Sequence, residues 1–338
     1  MIKLADLFPA ILVSICVAFA SAVPLIRLAR RWRLVDMPGA QPHKWHSDPT
    51  PLAGGPILAL AVAAAYLLVV PPPGRASFGI LLAAALMLLW GVWDDRATLP
   101  AWAKLVGQIA AAVILWYYGV QVRLFPLEWL NFLLSMLWIV GMINAFNFMD
   151  SMDGLALGLA AIGAAFFMLV TIDSGQPDLA YLCAAMVGAA IGVAFFNVSP
   201  ARMFIGDSGA QFLGLLLAAI GLAYVPVGLP RLVSWFTPIL VLGVPVFNIT
   251  LVVASRLRRG VRFYEAHRDH LAHRLVDLGL DRSRTVILIQ LGAIGLGLLS
   301  FIGLGLTPLS ANILFGTVVA VGVGTIVVFE GRLRRAAE

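Results

Sequence analysis

The sequence predicts an all-α fold, a polytopic integral membrane helix bundle of about eleven transmembrane helices with a cytoplasmic active-site cleft, in a single catalytic domain, 1–338. Three observations predict it. Hydrophobic residues make up 61% of the chain and charged residues 12%, against roughly 25% charged in soluble domains. Long runs without Asp, Glu, Lys or Arg follow one another along the chain. The basic residues between those runs fall on alternate connections.

In chain order, the uncharged runs are 7–26, 52–74, 76–93, 105–122, 129–149, 154–172, 179–201, 208–230 and 232–255, each a candidate span. A helix needs roughly 20 mostly apolar residues to cross the hydrocarbon. Runs 76–93 and 105–122 only just reach that length. The last run, 285–329, is long enough for two helices, with Thr307-Pro308 as the hairpin between them. The two cysteines, Cys16 and Cys183, sit inside predicted spans, which points to packing rather than to a disulfide framework. Ala20-Ser21-Ala22 resembles a signal-peptide cleavage site. The strongly basic stretch, however, follows the first apolar run instead of preceding it, so the first helix is read as uncleaved.

Orientation follows from charge. With the N-terminus outside, all Lys and Arg except Lys3, Arg75, Arg123 and Arg231 face the cytoplasm, in loops 27–51, 94–104, 197–208 and 256–284 and in the tail. That agrees with the positive-inside rule. The net charge of +6 is therefore a topology signal. Nucleic-acid binding is a poor reading, because the basic residues line membrane edges.

The chemistry-bearing side chains lie on that same side. Carboxylates at a membrane margin are costly and usually serve a function. Asp94-Asp95 closes the third run and is followed by Arg96 and Lys104. Adjacent carboxylates oppose each other's ionisation, so such a pair suits a metal ligand with a base; the plainer reading is a solvated helix end held by Arg96. Asn144, Asn147, Asp150 and Asp153 recur every third residue, which a helix would present as one ridge near its cytoplasmic end. Gly206-Asp207-Ser208-Gly209 opens the eighth span with a tight backbone, suited to a helix N-terminus facing phosphate. His267, Arg268, His270, His273 and Arg274 crowd the longest cytoplasmic loop. The spacing of His270 and His273 could suit zinc, but interleaved arginines look more like a polyanion grip. The first loop adds Lys44 and His46.

Taken together and in this order, these motifs, from about His43 to Arg274, resemble the polyprenyl-phosphate N-acetylhexosamine-1-phosphate transferases. The resemblance implies transfer of a sugar 1-phosphate from a UDP-sugar to undecaprenyl phosphate, releasing UMP, with Mg2+ as cofactor and Mn2+ as a substitute. By motif, Asp94 and Asp95 match paired aspartates beside the lipid phosphate, and Lys104 a phosphate-holding lysine. Asn147 and Asp207 match residues at the metal, with Asp150 and Asp153 lining the same cleft. Asn197 and Phe204 match positions that meet the uracil, and His270 and His273 match two histidines of a His-x-His-His motif. Ala272 stands where that motif has its middle histidine, which leaves a 6-deoxy N-acetylhexosamine open as the sugar beside N-acetylglucosamine. The Pro-x-His-His-His pattern of the pentapeptide translocase is absent, which disfavours that substrate. Expected partners are undecaprenyl phosphate, a UDP-N-acetylhexosamine and membrane lipid, with a homodimer allowed. The expected place is the bacterial inner membrane. A transporter with a carboxylate relay is the rival from another class; it requires acidic groups near mid-span.

Overall fold

The computed structural model describes residues 2–37, 48–70, 72–228, 231–261 and 269–337. Lys44, His46, His267 and Arg268 lie outside them. The chain, read above as one domain, divides into two compact units, Met1–Val227 and Gly228–Glu338.

The first unit runs α1 (Leu4–Arg31), β1 (Val35–Asp36), β2 (Thr50–Pro51), α2 (Gly54–Val69), α3 (Arg75–Ala97), α4 (Ala101–Tyr117), α5 (Glu128–Met149), α6 (Leu155–Asp173), α7 (Pro177–Asn197) and α8 (Gly206–Ala223). The expected spans fold as helices because each run offers a continuous apolar surface, and its ends carry breakers. Pro177 starts α7, Gly154 (φ 76°) precedes α6 and Pro100 precedes α4. The helices run alternately up and down. Helix α7 packs against α1 and α6, and α8 packs against α3 and α5. At one end, the Gly74 N–H donates to Asp178 Oδ2 (2.9 Å) and Gln176 Nε2 donates to the Ala223 carbonyl (3.1 Å). The opposite end gathers the last turns of α3, α5 and α7 with the first turns of α4, α6 and α8. There the short antiparallel ribbon pairs Val35 with Pro51 and Asp36 with Thr50. Leu52 bridges on to Phe204 just before α8.

The second unit runs α9 (Arg231–Ser234), α10 (Thr237–Val241), α11 (Gly243–Arg259), α12 (Leu271–Asp277), α13 (Arg282–Leu304) and α14 (Pro308–Ala337). The expected hairpin at Thr307-Pro308 separates α13 from α14. The ninth span, expected to be continuous over 232–255, is instead broken into α9, α10 and α11. Pro238 and Pro245, which lack N–H donors, and Gly243 fall in the first turns after the breaks. An aromatic and aliphatic core fills the bend, with Phe236 stacked on Phe315 at 5.1 Å.

Eight helices among the described residues are long and apolar enough to cross a membrane, and α2 and α4 are shorter apolar helices. Seventeen residues in α4 rise about 25 Å, slightly less than a hydrocarbon core of about 30 Å. The chain is a polytopic membrane protein.

Candidate active site

The end of the first unit that carries the turns α3–α4, α5–α6 and α7–α8 brings the conspicuous carboxylates together. Its organising feature is the start of α8. Gly206 adopts φ 67°, and a Cβ there would stand 2.7 Å from both Asp95 carboxylate oxygens. That close approach lets Asp95 cap α8: the Asp207 N–H donates to Oδ1 (2.7 Å) and the Ser208 N–H to Oδ2 (3.2 Å). A carboxylate at the first N–H groups of a helix meets both the orphan donors and the positive end of the dipole. Glycine at position 91 of α3 is required too, since a Cβ there would fall 2.4 Å from Ser208 Cα. Asp95 is one of the residues expected at the acceptor phosphate; in the structure each of its oxygens accepts one N–H from the start of α8, which ties α3 to Asp207.

Asp207, held in place by that cap, faces Asp94 across a single cation. Lys104 Nζ lies 2.6 Å from Asp94 Oδ2 and 2.7 Å from Asp207 Oδ2. The Asp94 side chain is 1% exposed, against 25% for Lys104 and 27% for Asp207. Asp94 also accepts from the Leu99 N–H (2.9 Å), which fixes the turn into α4 and hence the reach of Lys104. Gln211 Nε2 lies 3.4 Å from Asp94 Oδ2. On α5, the Asn147 amide is close enough to Asp207 to favour its charged form. Asn144, by contrast, donates to Gln108 Oε1 (2.7 Å) and to the Val140 carbonyl (2.8 Å), which ties α5 to α4.

The expected four-residue ridge is only half helical. Helix α5 ends at Met149, Asp150 is its C-cap, and Asp153 sits in the turn before Gly154. Burial, and then the charges of Asp207, Asp95, Asp153 and Asp36, push the Asp150 carboxyl well above the usual carboxylate range. Asp36, in β1, is a member of this acidic neighbourhood that carried no signal in the sequence. Asn197 is buried, accepting from the Gly154 N–H (2.9 Å) and donating to the Met203 carbonyl (3.0 Å). Its amide therefore joins the α5–α6 and α7–α8 turns. Phe204 remains half-buried, and its backbone is clamped between the Pro51 carbonyl (2.9 Å) and the Gly54 N–H (3.0 Å).

In the second unit, the described part of the segment expected to grip a polyanion begins at Asp269. Asp269 receives Arg256 through Nε and Nη2, both at 2.9 Å, and Arg259 Nη2 at 2.6 Å. Burial alone would raise the Asp269 carboxyl, but the Arg256 hydrogen bonds and charge, with His270 and Arg259, hold it down at about 2. Arg274, expected to grip phosphate, is buried and donates to Glu330 Oε1 (2.7 Å) and the Asp269 carbonyl (2.9 Å). His270 precedes α12 with its ring 5.8 Å from that of His273, which is buried.

Carboxylates at helix ends, a lysine between two of them and a capped helix N-terminus give this membrane protein a site suited to phosphate chemistry. Sequence comparison makes the class specific. Residues 77–225 match the glycosyl transferase family 4. The chain is 30% identical to the probable undecaprenyl-phosphate N-acetylglucosaminyl 1-phosphate transferase of Bacillus subtilis, over 78% of this chain and 76% of that protein. It is also 30% identical to the decaprenyl-phosphate N-acetylglucosaminephosphotransferase of Mycobacterium tuberculosis, over 92% of this chain and 86% of that one. A phospho-N-acetylmuramoyl-pentapeptide-transferase of Levilactobacillus brevis is 34% identical, over 53% of this chain and 63% of its own length. The chain belongs to glycosyl transferase family 4.

Proposed function

We propose that this protein transfers N-acetylglucosamine 1-phosphate from a UDP-sugar to undecaprenyl phosphate, the first membrane step of a cell-surface polysaccharide. An oxygen of the lipid phosphate bonds to the sugar-bearing phosphorus, the phosphoanhydride bond breaks, and UMP leaves. The observation that carries the reading is the cation-bridged pair Asp94–Lys104–Asp207 at the capped start of α8. Relatives whose names specify N-acetylglucosamine align over most of the chain, which favours that sugar. The shorter alignment with the pentapeptide transferase gives less support to its substrate.

Bringing two phosphates together concentrates negative charge, which must be neutralised. Lys104, partly exposed, is the chain's own counter-charge. Among the described residues, no group of three or more His, Cys, Asp or Glu could hold a metal. Magnesium does not need one, since it binds through one or two carboxylates, retained waters and substrate phosphates. The oxygen donors Asp207 and Asn147 suit it, and of the two causes that push Asp150 up, burial and then the neighbouring carboxylates, a divalent cation would relieve the second. When bound, the ion would neutralise the diphosphate and stabilise the leaving UMP. Asp94 holds the ammonium of Lys104 in line with Asp207, while Asp95 keeps Asp207 aimed. A lipid phosphate, with its second pKa near 6, is already largely ionised at neutral pH, so Asp94 serves chiefly as an orienting group. The charge bias supports a cytoplasmic face for this end of the first unit, the side on which UDP-sugars are found, in the bacterial inner membrane. His270 and His273 are assigned to donor recognition on the family resemblance.

The test is purified protein with undecaprenyl phosphate, Mg2+ and a panel of UDP-sugars, scored for UMP release and lipid-linked product. Turnover of UDP-N-acetylglucosamine supports the reading. No turnover with any UDP-sugar, in protein that still binds polyprenyl phosphate, rejects it.

A further inference from the structure

The second unit holds a buried ionic lattice that the proposed reaction does not use directly. Four guanidinium groups, Arg256, Arg258, Arg259 and Arg274, meet two carboxylates, Asp269 and Glu330. Glu330 lies near the end of α14, 56 residues beyond Arg274. Its Oε1 accepts from Arg274 Nη1 (2.7 Å), its Oε2 is 3.3 Å from Arg258 Nε, and its backbone carbonyl accepts from Arg258 Nη2 (3.2 Å). Arg274 Nε then donates to the Asp269 carbonyl (2.9 Å), the peptide oxygen immediately before His270. On the other side of that peptide, the Leu271 N–H donates to Asn248 Oδ1 (2.8 Å).

We infer that Glu330 is a positioning residue for the His270–His273 pair, acting through Arg274 on the backbone that carries His270. A guanidinium with five N–H donors in a fixed plane can bind a carboxylate and a carbonyl together, so its orientation passes from one to the other. Losing the carboxylate would leave Arg274 with a single firm partner, and the 269–271 backbone with one fewer anchor. Four guanidiniums against two carboxylates also leave net positive charge beside the histidines, which suits a diphosphate-bearing ligand without any arginine touching it. The assignment rests on the reading that these histidines recognise the UDP-sugar.

The test uses full-length protein in nanodiscs, with histidine-labelled NMR and kinetics in parallel. Glu330→Ala is expected to move the His270 and His273 ring signals. It should lower kcat/KM for UDP-N-acetylglucosamine up to about 100-fold, through the donor KM, with the lipid-acceptor KM unchanged. Glu330→Gln, which keeps an acceptor for Arg274, should fall between Glu330→Ala and wild type. In a His270→Ala background, Glu330→Ala should cost little more, because groups acting as one unit are not additive. Should Glu330→Ala fail to fold, the pair Arg274→Met with Glu330→Met removes both buried charges at once, and it is expected to show the same kinetic loss. Unmoved histidine signals, or losses that add fully to those of His270→Ala, overturn the inference. Full activity in His270→Ala would instead reject the donor-recognition reading, while the NMR signals still decide whether Glu330 positions the histidines.

Discussion

The two units treat charge in opposite ways. At the end of the first unit, several carboxylates gather around one partly exposed lysine, and Asp150 is pushed well above the usual carboxylate range. In the second, arginines outnumber carboxylates, the Arg256–Asp269 and Arg274–Glu330 pairs are buried, and Asp269 is held at about 2. A cluster left short of counter-ions is poised to take a cation or exchange one; a lattice in which every carboxylate is held by arginines is built to hold a shape. The contrast assigns chemistry to the first and support to the second, although in sequence both are runs of charge beside apolar spans.

The comparison is best broken at Asp207. Asp207→Asn is expected to lower kcat by roughly 10³-fold while the protein keeps its thermal stability, measured by UMP release and by unfolding in detergent. Near-normal turnover would remove Asp207 from the reacting centre. Lys104→Met should come next. It leaves Asp94 and Asp207 facing each other without the ammonium, and uncompensated buried charge costs about 3–5 kcal/mol. Added Mg2+ should therefore raise the melting temperature of Lys104→Met more than that of wild type; equal shifts would mean that no cation binds at Asp207.

A smaller effect separates the paired aspartates. Asp95→Ala leaves two buried N–H groups without their acceptor, at about 1–3 kcal/mol each, and should lose stability as well as rate. Asp94→Asn keeps the acceptor for the Leu99 N–H and should lose rate with little stability. If the two variants behaved alike, the distinction between aiming Asp207 and holding Lys104 would fail.

The smallest effect tests the supporting lattice. Asp269 has its carboxyl depressed in the folded protein, so its contribution is present above the ordinary carboxylate pKa and fades as pH falls through about 2. By linkage this amounts to roughly 2 kcal/mol, measurable as a difference between acid unfolding of wild type and of Asp269→Asn. Parallel acid curves would show that the arginines do not depend on this carboxylate.

Much of this was legible beforehand. Apolar runs specify spans because an uncharged stretch of sufficient length has no better environment than lipid, and the Gly-Asp-Ser-Gly signature marked the start of α8. The break in the ninth span was written in Pro238, Gly243 and Pro245, although uncharged length alone concealed it. Asp94, Asp150, Asp153 and Asp207 were identifiable because carboxylates beside apolar runs are rare.

The chain by itself therefore determined the membrane bundle, its charge asymmetry and the side chains available for phosphate chemistry, since these follow from composition and from the cost of placing charge in hydrocarbon. Only the tertiary structure decided the roles. Asp94 and Asp95 are neighbours of the same type, yet one grips Lys104 and the other caps a helix 112 residues away. Arg274 and Lys104 are both cations near conspicuous motifs, but Arg274 is enclosed by Glu330 while Lys104 keeps an opening. Which donor meets which acceptor depends on how helices distant in sequence approach one another, and no local pattern encodes that distance.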